Sequence, residues 1–83
     1  MHSDQEIIAA ISRIIQEPSI WKIGTADMPE YARKEHGNPN IWMEWCTASQ
    51  LDAEAVQCHF LRQGVRVALD GTGKGNYVYL LLV

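Results

Sequence analysis

Eighty-three residues with 10 acidic and 7 basic side chains, a formal net charge of −3 and 47% hydrophobic content describe one small folded domain, spanning 1–83. That composition excludes a disordered polymer, and the mild acidity argues against a dedicated nucleic-acid binder, which normally carries a basic excess over the whole domain. A local basic patch on an acidic background stays compatible with it.

No apolar run approaches the 18 residues of a membrane span, and Met1 to Gln5 is polar and acidic rather than signal-like. Two cysteines, Cys46 and Cys58, do not make a disulfide framework. These features predict a cytoplasmic protein, without membrane partners, holding two buried thiols in a reducing compartment.

In chain order, Ser3 to Glu17 reads as an amphipathic helix. Ile7, Ile8, Ile11, Ile14 and Ile15 fall on one helical face, and Ser3 with Glu6 matches a capping box. Pro18 stops it by disfavouring helical geometry in the residue before. Ile20 to Thr25 reads as a strand. Asp27 opens a second helix, with Glu30 as its box partner and Pro29 in the tolerated first turn; Gly37 closes it.

Ile41 to Ala48 reads as a strand in which Ile41, Met43, Trp45 and Thr47 oppose Trp42, Glu44, Cys46 and Ala48. Ser49 and Asp52 cap a third helix that ends at Gly64 and buries Ala53, Val56, Phe60 and Leu61. Val65 to Asp70 alternates as a half-buried strand, a glycine-rich turn follows, and Asn76 to Val83 is an apolar run of the kind found inside a sheet. The predicted fold class is α+β: a three- to four-stranded sheet with three helices in the order αβαβαββ.

Two apparent motifs fail on inspection. Counting back from Gly73-Lys74, a phosphate-binding loop would need glycine at Ala68 and Ser or Thr at Gly75, and a helix rather than a strand to follow. The histidines and cysteines match no zinc spacing, so no metal and no cofactor is expected. Trp42 and Trp45 have opposite parity, so one of them faces away from whichever side the second helix covers. Either the core is two-sided, or an aromatic is offered to a partner.

Trp21-Lys22-Ile23-Gly24, then Asp27, Pro29, Glu30, Lys34, Glu35 and His36, form a strand–helix pattern that resembles part of the GIY-YIG nuclease core. Ala53, Val56, Gln57 and Phe60 are similar to that family's later helix. The resemblance covers about half the chain and implies phosphodiester cleavage with a divalent metal.

The chain departs from the family at the positions that matter most. Ala32 stands where the family's helix has an arginine, next to Tyr31, and Arg33 is one residue off, or about 100° around the helix. Gln57 stands where a glutamate holds the metal, with Glu54 one turn earlier. The opening strand is absent upstream, but Gly75-Asn76-Tyr77-Val78-Tyr79 resembles it. Pairing of this last strand with Trp21–Thr25 would make the sheet a circular permutation of the family's.

Loss of both charged groups implies a domain that binds without catalysing, since one such group alone is worth about 3 kcal/mol in a transition state. The candidate binding surface is Trp21, Lys22, Tyr31, Arg33, Lys34 and His36, with nucleic acid or a protein as partner. An alternative is a weak nuclease using Tyr31, Arg33 and Glu54 with Mg²⁺ or Mn²⁺. A third reading is a homodimer formed through an exposed Trp42 or Trp45 face or a sheet edge.

Overall fold

The computed structural model describes residues 1–68 and 74–82. Three helices, α1 (Asp4–Ile14), α2 (Pro29–Glu35) and α3 (Gln50–Leu61), accompany four strands: β1 (Trp21–Ala26), β2 (Trp42–Cys46), β3 (Arg66–Val67) and β4 (Tyr77–Leu82). The sheet order is β2-β4-β1-β3. β4 runs antiparallel to β1 and β2, and β3 runs parallel to β1. The fold is α+β with the expected element order, and the apolar C-terminal run is an interior strand with Val78 to Leu81 buried. β4 pairs with β1 from Trp21↔Leu82 to Ala26↔Tyr77.

Local signals explain most of the boundaries. Ser3 accepts from the Glu6 N–H while the Glu6 carboxylate accepts from the Ser3 N–H, so the α1 capping box is complete. The helix ends at Ile14, three residues short of the expected Glu17. Ile14 lies four residues before Pro18, whose ring would meet its carbonyl in a continued helix. Pro18–Ile20 forms a 3₁₀ turn instead, which takes Ile20 out of the expected strand.

The predicted Asp27 cap does not form. Pro29 occupies the first helical position, which makes Met28 the N-cap and leaves Asp27 one residue too early to reach the first turn. Ser49 caps α3 by accepting from the Asp52 N–H, as expected. Leu61 is exposed rather than buried, since it sits past the face defined by Ala53, Val56 and Phe60. Cys58 is exposed and Cys46 half-buried; both are free thiols. Leu69, Asp70 and most of the glycine-rich turn lie outside the described residues.

The core has two layers. On one side of the sheet, α1 and α3 bury Ile7, Ile11, Ala53, Val56 and Phe60 against Trp21, Ile23, Val65, Val78 and Leu80, with Met43 and Trp45 at the margin. On the other, Ala32 of the short α2 closes over Ala26, Ala68, Tyr79 and Leu81, with Trp42 beside them. Trp42 and Trp45 thus serve opposite faces of β2, as their parity requires. No helix among the described residues is long and apolar enough to cross a membrane.

Candidate functional site

Three rows of side chains cross the α2 side of the sheet, set by the strand register and by alternation. The first runs Trp42, Leu81, Lys22, Arg66; the second Glu44, Tyr79, Gly24; the third Cys46, Tyr77, Ala26. α2 leaves the C-terminal end of β1 and delivers His36, its C-cap, beside Trp42 and Tyr79.

The centre of this face is a packed aromatic group. Trp42 stacks on Tyr79 with centroids 4.6 Å apart and planes inclined by 12°. His36 tilts against both rings, at 6.3 and 5.8 Å, and its Nε2 shares a 3.3 Å hydrogen bond with the Tyr79 hydroxyl. Trp42 donates its indole N–H to Glu44 at 3.2 Å. Tyr79 is wholly buried, because its ring lies directly over the backbone of Gly24 on the neighbouring strand. A Cβ at Gly24 would stand 2.5 Å from the Tyr79 Cζ and Oη. The glycine in the Trp-x-x-Gly pattern therefore makes room for this ring.

Charge is polarised across the face. Lys22 and Arg66 lie side by side on β1 and β3 in the first row. At the opposite end, Tyr77 lies across from Cys46 and within the field of Glu44 and Glu30. Cys46, first through its charge when ionised and then through its hydrogen bond, holds the Tyr77 hydroxyl above the usual phenol value. Asn76 donates to both the Cys46 sulfur and the Thr47 carbonyl, tying the start of β4 to the end of β2.

The six residues proposed as a binding surface separate into five environments. Trp21 does not belong to a surface at all: it is 8% exposed and packs in the α1–α3 core, because its parity matches Ile23 rather than Lys22. Lys22 is half-buried beside Arg66. Tyr31 is 55% exposed, with the Lys34 ammonium 5.9 Å from its ring centroid. Arg33 turns toward the loop and donates to the Pro39 carbonyl at 3.2 Å. His36 alone joins the aromatic group.

The residues of the nuclease alternative are also separated. Tyr31 and Arg33 lie on α2 and Glu54 on α3, helices packed against opposite faces of the sheet, and Glu54 accepts from Gln50 on its own helix. Ala32 turns its methyl into the sheet and is 4% exposed. Among the described residues, no group of three or more His, Cys, Asp or Glu side chains is placed to hold a metal.

Sequence reasoning left Tyr79, Glu44 and Arg66 out of the site. They enter it through strand pairing, which joins residues 79 and 24 or 66 and 22; the available signal was the shared parity of Trp42 with Glu44 and of Tyr79 with Leu81. No protein-family model, no curated protein and no solved structure matches this chain.

Proposed function

We propose that this chain is a non-catalytic binding domain of permuted, degenerate GIY-YIG type. On this reading it engages the backbone of a nucleic acid through the α2 side of its sheet. The observation that carries the proposal is the first row of that face. It sets Trp42, half-buried, in line with Lys22 and Arg66 over three strand spacings, or about 14 Å. A partly open ring two strand spacings, or about 10 Å, from two adjacent cations suits a base and its flanking phosphates. Arg33 and Lys34 in the last turn of α2 add positive charge on the same side.

The antiparallel pairing of β4 with β1 supports the permuted reading of the sheet. The non-catalytic reading is supported by the methyl of Ala32 in place of a guanidinium and by the separation of Tyr31 and Arg33 from Glu54. The free thiols fit a reducing compartment, consistent with a cytoplasmic setting.

Amide shifts followed during titration with a short DNA duplex, and then with a single strand, test this reading. Salt-sensitive shifts at Lys22, Trp42 and Arg66, abolished in the Lys22→Glu/Arg66→Glu variant, are expected, with no response to Mg²⁺. Silence toward both nucleic acids would make a protein the partner instead. Mg²⁺-dependent shifts at Tyr31, Arg33 and Glu54 would restore the nuclease reading.

A further inference from the structure

The two edges of the sheet are built differently. β3 is two residues long and carries Arg66, a short charged edge of the kind that resists further pairing. β2 is five residues long, with one charge and no proline.

The direction of its backbone groups follows from the ladder. At one end of β2 the Leu82 N–H donates to the Ile41 carbonyl, and at the other the Thr47 N–H donates to the Asn76 carbonyl. Alternation in an antiparallel pair then turns residues 41, 43, 45 and 47 toward β4, and Trp42, Glu44 and Cys46 outward. The His2 N–H bears this out by donating to the Cys46 carbonyl from the outer side, at 2.8 Å. His2 covers only that end, bridging to Thr47. The outward N–H and C=O groups of Trp42 and Glu44 have no backbone partner among the described residues.

We infer that this edge pairs with the same edge of a second copy, antiparallel, with the dyad at Met43. In that register Trp42 of each copy lies opposite Glu44 of the other and exchanges both backbone bonds with it, four in all. Any shift that sets Glu44 against Glu44 puts like charges face to face, which sheets disfavour. The Met43-centred register avoids that clash. It also places each indole donor opposite the other copy's Glu44 carboxylate, beside the Glu44 of its own strand that already accepts from it, and leaves the His2–Cys46 bond intact.

On the α1 side the same register sets Met43 against Met43 and Ile41 against Trp45. Ile41 is 44% exposed, and Met43 and Trp45 are only partly covered by their own chain. The apolar margin beside the edge is thus self-complementary, as a two-fold contact requires. The pairing joins two four-stranded sheets, leaves Lys22 and Arg66 at the outer ends, and shares only Trp42 with the nucleic-acid reading.

Sedimentation equilibrium of the unmodified chain from about 10 μM to about 1 mM is the first test, with a rise toward twice the monomer mass expected. Register is then tested by oxidative cross-linking in a Cys46→Ser/Cys58→Ser background. Met43 α-carbons across the dyad form a non-hydrogen-bonded pair about 4.5 Å apart, within disulfide reach. Met43→Cys should therefore cross-link to itself, whereas Ile41→Cys and Trp45→Cys should link only when the two variants are mixed. Monomer mass throughout would overturn the proposal, including where an added extended peptide binds the edge instead. So would a dimer in which Met43→Cys fails to link or Ile41→Cys links to itself.

Discussion

Replacing Gly24 with alanine tests the packing on which the whole α2 face rests. The new methyl carbon would stand 2.5 Å from the Cζ and Oη of Tyr79 and 2.9 Å from its Cε2. Carbon atoms need about 3.5–4.0 Å, so the ring has to move by about 1 Å. It has nowhere easy to go, since Tyr79 is wholly buried, stacked on Trp42 and hydrogen-bonded to His36. Forcing extra volume into such a site costs about 1–3 kcal/mol. Removing glycine from a strand returns about 0.5–1 kcal/mol through the unfolded chain.

The net expectation for Gly24→Ala is a loss of about 1–2 kcal/mol, or roughly 4–16 °C in Tm for a domain of this size. Urea unfolding followed by tryptophan fluorescence measures it directly. Tyr79→Leu alone should also destabilise, through the lost ring. In the double variant the methyl no longer meets a ring, so the two losses should fall short of additivity by about 1 kcal/mol or more. A Gly24→Ala protein within about 0.5 kcal/mol of the parent, or strict additivity, would refute the claim that this glycine exists to seat Tyr79.

Other expectations follow from the termini and the β2–β4 pair. Ser3→Ala removes the acceptor at the start of α1 and should cost about 1 kcal/mol, read from the same urea curves. The Glu6 carboxyl is held below its ordinary value by the Ser3 backbone N–H first, and then by His2. A carboxyl depressed on folding stabilises the native state above its unfolded value, near pH 4.3, and that contribution fades as pH falls through the folded value. Glu6→Gln should therefore flatten the acid limb of a Tm-against-pH curve without steepening it anywhere. Tyr77 should form its phenolate above the usual pH of about 10, and Cys46→Ala should bring that titration down, as followed by ultraviolet absorbance.

The parts of this fold legible in the sequence are those decided by neighbours along the chain. The Ser3–Glu6 box, the isoleucine face of α1 and the uninterrupted apolar run of β4 each announce an element through contacts within about four residues. Where one local rule competed with another, the reading went astray: Asp27 looked like a cap, but Pro29 claims the first helical position and moves the start of α2 past it. The site was harder to read because it is made by register. Trp21 and Trp42 are equally suited to a binding face by residue type. Trp21 shares parity with Ile23 and is buried under α1 and α3, whereas Trp42 stacks on Tyr79 from a strand more than thirty residues away. Parity already assigned Trp42 and Trp45 to opposite faces of one strand. Deciding which face takes α2 required the strand order β2-β4-β1-β3, and that order is settled only when β4, the last strand, inserts between β1 and β2. The aromatic group and the position of β2 as an open edge both arise from that one insertion, so a change that dislodges β4 should abolish them together, while the Lys22–Arg66 pair rests on the direct β1–β3 pairing.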